Sequence, residues 1–141
     1  MAEISARCDG SRNLLLASLS PDDYAALRPL LQIVALESQR ILHNPGEASE
    51  FVYFPRSGFV SVAVALRDGS MVEVAPVGRE GLVGIPATGP ARTAMTNALI
   101  VVHGEDDCAY RMRIDDFQRE IDKCGAFADM VKTTAKPFLA S

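Results

Sequence analysis

The chain is 141 residues long, 48% hydrophobic and 23% charged, proportions of one globular domain with a core of its own and too few residues for two domains of ordinary size. No stretch approaches the roughly 20 uninterrupted apolar residues that span a bilayer, and the N-terminal segment, whose only apolar run is Leu14, Leu15 and Leu16, lacks the pattern of an export signal. A net charge of −4 and a pI near 5.1 give no attraction to phosphate backbones, so direct nucleic-acid binding by this chain is disfavoured, as is a membrane partner.

Two short helices are expected first, one around Arg12 to Ser18 and one introduced by Ser20-Pro21-Asp22-Asp23. There a hydroxyl can cap free amides, proline suits the first turn and two carboxylates suit the positive end of the helix dipole. This second helix should run to about Arg28. After Pro29 the pattern changes to short apolar runs at Gln32 to Leu36, Arg40 to His43, Phe51 to Phe54, Phe59 to Leu66 and Met71 to Val77, separated by turn residues. Closely spaced short strands predict a sandwich or barrel. Asp68-Gly69 marks a hairpin with a tight two-residue turn, because the pair tolerates positive φ. On its first arm Val60, Val62, Val64 and Leu66 form one face and Phe59, Ser61, Ala63 and Ala65 the other. The small residues of the second face allow either a cavity or close packing.

Thr93 to His103 reads as one or two further strands and Cys108 to Arg113 as another. The period then turns helical: Phe117, Ile121 and Cys124 share a face that Asp115 could cap and Gly125 could end. A last helix carries Phe127, Met130, Val131 and Thr134 on one face, with Pro137 limiting its continuation. The domain thus spans 1–141, with strands over about 30–113 and a helical C-terminal part over 115–136.

Four fragments carry a resemblance: Asn44-Pro45-Gly46-Glu47; Val52-Tyr53-Phe54-Pro55 with Ser57-Gly58; Asp68-Gly69; and Val77-Gly78-Arg79-Glu80-Gly81-Leu82-Val83-Gly84. In wording, spacing and order, from Asn13 to Val131, the chain resembles the N-terminal effector domain of Crp/Fnr-type bacterial transcription regulators. The resemblance implies an eight-stranded antiparallel β-roll of the cyclic-nucleotide-binding type, a jelly roll that senses a small molecule. It also implies a long dimerisation helix and a helix-turn-helix; ending at Ser141, this chain is expected to lack the helix-turn-helix, so that DNA binding would have to be supplied elsewhere.

Family members that bind cyclic nucleotides carry a phosphate cassette between a Gly-Glu pair and an arginine followed by a hydroxyl residue and alanine. Helix amides and a forked arginine hold the phosphate, and a carboxylate accepts from the ribose. By resemblance, Gly81, Leu82, Val83 and Gly84 form one end of the ligand site, and Arg92 with Thr93 the other. Leu82 stands where the carboxylate is expected. An apolar side chain there leaves a buried ribose hydroxyl without its acceptor, at roughly 1–3 kcal/mol or about tenfold to a hundredfold in affinity. Glu80 could substitute only if the loop shifted. Binding of unmodified cAMP or cGMP is therefore disfavoured, and a different effector, or none, is expected.

Catalysis has little support. His43 and His103 are the only histidines, without the spacing of a cupin-type metal site. Asp106-Asp107 and Asp115-Asp116 fall where turns and helix starts ordinarily carry acids. Cys8, Cys108 and Cys124 are odd in number and widely spaced, which suggests neither a disulfide framework nor an iron-sulfur or zinc site and fits a reducing cytoplasm. The alternative function is a ligand-free interaction module or homodimer using the stripe of Phe127, Met130 and Val131, unless that stripe packs onto the domain itself.

Overall fold

The computed structural model describes residues 12–43, 50–65, 68–84, 97–103 and 107–139. Helix α1 (Leu14–Ala17) is capped by Asn13, whose side chain accepts from the amides of Leu15 and Leu16. Helix α2 (Pro21–Leu27) begins as expected, with Ser20 Oγ accepting from the Asp23 amide, and passes into a 3-10 turn at Arg28–Leu30. Seven strands follow among the described residues: β1 (Leu31–Leu36), β2 (Ile41–His43), β3 (Phe51–Pro55), β4 (Phe59–Ala65), β5 (Met71–Val77), β6 (Asn97–His103) and β7 (Asp107–Arg113). The part of the Thr93 to His103 region before Asn97 lies outside the described residues, as do Asn44 to Glu47.

The strands form two antiparallel sheets, β1-β7-β3 and β2-β6-β4-β5. The last two strands in sequence thus occupy interior positions, each between two strands laid down earlier. Period-2 alternation sends neighbouring side chains of the three-stranded sheet into two different cores. Val52, Phe54, Tyr110 and Met112 pack with Leu16, Leu27, Phe117, Phe127 and Val131 on the helical side. Leu36, Tyr53 and Ala109 pack with Val60, Val77 and Val101 of the other sheet. The result is three layers, helices, sheet and sheet.

The β4–β5 hairpin has its positive φ at Gly69, but its last paired residues are Ala65 and Met71. The expected two-residue turn is therefore a longer loop: Asp68 accepts from the Ser70 amide and hydroxyl, closing a local turn of its own. Val60 is buried inside, as its face predicts, while Phe59 on the opposite face is 43% exposed. Ser61 and Ala63 on the small-residue face are also buried. The side chains of Val62, Val64, Ala65 and Leu66 lie outside what the structure describes.

Helix α3 (Ile114–Asp122) carries Phe117 into the core, and α4 (Ala126–Leu139) carries Phe127, Ala128 and Val131. The Phe117 and Phe127 rings meet edge to face, with centroids 5.8 Å apart. Three local expectations are corrected here. Arg113, not Asp115, holds the cap position, leaving Asp115 in the first turn where it still favours the dipole. Cys124 lies beyond the helix, exposed, with φ of 54°, while the Gly125 carbonyl accepts from the Asp129 amide to open α4 rather than close α3. Pro137 does not stop α4, because a proline in the final turn removes one amide bond and leaves the earlier ones intact. The expectation of unpaired cysteines also fails: Cys108, buried in β7, is disulfide-bonded, its partner lying outside the described residues, while Cys124 is free. Sequence spacing carries no information about which sulfurs meet in space.

Candidate functional site

The chain leaves β5 at Val77 and turns sharply through Gly78 to Gly81. The Gly81 amide donates to the Gly78 carbonyl at 3.1 Å, and Glu80 folds back so that its Oε1 accepts from the Gly78 amide, also at 3.1 Å. Glu80 is thus engaged in its own turn, and Arg79 and Glu80 are exposed there. Glycine is required at Gly81 by space: a Cβ would stand 2.6 Å from Val77 Cγ1.

Beyond the turn, adjacent residues go to opposite cores. Leu82, 5% exposed, enters the helical-side core with Phe117, Phe127 and Val131. Val83, 3% exposed, enters the core between the sheets, and its backbone exchanges hydrogen bonds of 2.8 and 2.9 Å with Tyr53. Gly84 follows at φ of 96°, a left-handed conformation that favours glycine. Gly81 to Gly84 therefore form one continuous strap, buried from Gly81 to Val83 and half-buried at Gly84. Arg92 and Thr93 lie outside the described residues.

Sequence reading passed over the residue that anchors this strap. Asn13, 1% exposed, donates from Nδ2 to the carbonyls of Pro55 at 2.8 Å and Gly81 at 2.9 Å, while its Oδ1 caps α1. The Leu14 amide adds a 2.7 Å bond to the Arg79 carbonyl. The available signal was an asparagine directly ahead of an apolar run, a helix-cap cue; its two long-range carbonyl partners had no sequence signature.

His43 and His103 end β2 and β6. Among the described residues no group of three or more His, Cys, Asp or Glu is placed to hold a metal. No helix among them is long and apolar enough to cross a membrane.

Neither a protein-family model nor a curated protein matches the chain in sequence. Solved structures do match in fold. A CooA variant from Carboxydothermus hydrogenoformans superposes with a TM-score of 0.65 at 17% identity, over 94% of this chain and 80% of that one. The N-terminal domain of a transcriptional regulator from Streptomyces coelicolor A3(2) gives 0.59 at 23%, over 92% and 88%. The sensor domain of the transcriptional regulator DNR from Pseudomonas aeruginosa gives 0.61 at 16%, over 98% and 87%. The fold is that of Crp/Fnr-type sensor domains.

Proposed function

We propose that the chain is a non-catalytic, small-molecule-sensing domain whose nucleotide pocket is degenerate. Its likeness to regulator sensor domains across nearly the whole chain supports the sensing role. The eight-stranded roll belongs to this reading, supported by the seven antiparallel strands found among the described residues in two sheets.

The observation that carries the degenerate pocket is the placement of Leu82. At the position where a nucleotide-binding relative presents a carboxylate to the ribose, this side chain is buried among Phe117, Phe127 and Val131. It offers no acceptor, and Glu80, two residues earlier, is turned onto the Gly78 amide. In this reading the strap from Gly81 to Gly84 still borders the effector, with Arg92 and Thr93 completing the site around an anionic or polar ligand. Phe127 and Val131 are buried in the domain's own core, which argues against the interaction-stripe alternative.

Calorimetry with cAMP and cGMP on the purified chain should give binding no tighter than high micromolar. Submicromolar binding of either would overturn the degenerate-pocket reading. A thermal-shift screen of small anionic metabolites should yield a ligand whose effect Arg92→Ala removes. A ligand equally well bound by that variant would refute the assignment of Arg92, and failure of every small molecule would count against sensing itself.

A further inference from the structure

The disulfide of Cys108 has one candidate partner within the chain. Three cysteines are present, Cys124 is free and Cys108 is bonded, which leaves Cys8, outside the described residues. Cys108 is 0% exposed. By strand alternation it shares a face of β7 with Tyr110 and Met112, which pack on the helical side together with Leu16 of α1. Reach allows the pairing. Asn13 donates to the Pro55 carbonyl, Pro55 pairs with Ala109, and Ala109 adjoins Cys108, while the five residues from Cys8 to Asn13 can span up to roughly 17 Å. The β3–β4 turn is fastened at the same point: the Arg56 and Ser57 amides donate to the Cys108 carbonyl, and Ser57 Oγ accepts from the Cys108 amide.

A bond between Cys8 and Cys108 encloses about 100 residues, a span over which a cross-link strongly restrains the unfolded chain. The fold itself does not require such a staple. Chains that substitute disulfides for a core are shorter, and this one has two apolar clusters of its own. What the bond restrains in the folded state is the segment just ahead of Asn13. Asn13 holds the Gly81 carbonyl, and the Leu14 amide beside it holds the Arg79 carbonyl. Any freedom gained before α1 is therefore passed to the strap.

We propose that Cys8 and Cys108 form a reversible disulfide, opened by small thiols and closed by small disulfides, that sets how tightly α1 holds the strap. Burial bars attack on the Cys108 sulfur, so a thiolate RS⁻ takes the Cys8 sulfur, the bond to Cys108 breaks, and Cys108 leaves as a thiolate that picks up a proton. A second thiolate RS⁻ displaces Cys8 from the mixed disulfide. The products are two protein thiols and one RSSR, and the two electrons gained by the protein disulfide are those lost by the two small thiols. The reverse sequence closes the bond. This control stands whether or not the strap borders an effector.

The test equilibrates the full chain in reduced and oxidised glutathione at set ratios, quenches it by alkylation in denaturant and reads the intact and peptide masses. In the oxidised chain only Cys124 should be open to alkylation or a glutathione adduct. In the reduced chain all three cysteines should be open, with Cys8 and Cys108 titrating together as one two-electron couple. Reduction should lower the melting temperature by roughly 10 °C; Cys8→Ser should reproduce that loss, and Cys124→Ser should not. In hydrogen exchange the Leu14 and Val83 amides, bonded to Arg79 and Tyr53, should exchange severalfold faster once the bond is open, with the β4–β5 ladder unchanged. A linkage through Cys124, a disulfide-linked dimer, or three free thiols in fully oxidised glutathione would overturn the pairing. A bond that fully reduced glutathione leaves intact would overturn its reversibility. Leu14 and Val83 exchange that is equal in both states, or accelerated no more than the β4–β5 ladder, would reduce the bond to a passive staple and overturn its control of the strap.

Discussion

Asn13 uses both ends of its side-chain amide, serving two carbonyls with its nitrogen and two amides with its oxygen. Truncation to alanine would leave buried groups unpaired at about 1–3 kcal/mol each where water cannot enter, so Asn13→Ala should lose roughly 3 kcal/mol in denaturant titrations. Asn13→Asp separates the two halves of the role. Its oxygen still caps α1, but the second oxygen now faces the Pro55 and Gly81 carbonyls, which raises the carboxyl's folded-state pKa above its unfolded value. Such a group is tolerated while protonated and destabilises as pH rises through the folded pKa. The melting deficit of Asn13→Asp should therefore be smaller at about pH 4 than at about pH 7.5. Ser61 is the opposite case: its Oγ is buried with no hydrogen-bond partner. Ser61→Ala removes an unsatisfied group at nearly constant shape and should raise stability by about 1 kcal/mol.

Among elements, the strap from Gly78 to Gly84 is the most constrained by its surroundings. Gly81→Ala forces a Cβ against the Val77 side chain at 2.6 Å, an overpacking expected to cost about 1–3 kcal/mol. Because Leu82 reaches the core that α3 and α4 share, displacement of the strap and repacking of these helices are coupled. Phe127 connects the two, touching Phe117 edge to face and lying 6.3 Å from the Phe54 ring. Phe127→Ala should destabilise by about 3–5 kcal/mol and broaden the resonances of Leu82 in an NMR spectrum. Sharp, unshifted Leu82 signals would show that strap and helices are independent.

For the whole molecule, topology places β6 and β7 inside the sheets, although they come late in the chain. Both sheets therefore close only through long-range pairings, which slows folding relative to a chain of local hairpins. In hydrogen exchange the β7 amides, paired on both sides with β1 and β3, should be among the slowest. The core also sets an alkaline limit. Burial raises the Tyr53 phenol above its ordinary value, and burial, then the Tyr110 hydroxyl, raises that of Tyr24. The neutral phenols are favoured in the folded state, so stability is retained below about pH 10 and falls as the unfolded chain ionises above it. Denaturant midpoints should drop between pH values of about 9 and 11, and Tyr53→Phe should flatten that drop.

The sequence by itself determined the element order and most of the burial, since these rest on local chemistry. Ser20 with Pro21 starts α2, Gly69 turns the β4–β5 hairpin, and periods of two and of 3.6 mark which side chains go inward. It also marked Leu82, by resemblance alone, as the residue standing where a carboxylate is expected. Tertiary structure decided what depends on residues distant in the chain. Asn13 reaches Pro55 and Gly81 across 42 and 68 positions, and Tyr24 meets Tyr110 across 86. Adjacent Leu82 and Val83 enter different cores because a strap passing between layers presents one face to each. Local propensity encodes a turn or a face. Only the closed packing of the sheets and helices selects which buried carbonyl meets which donor.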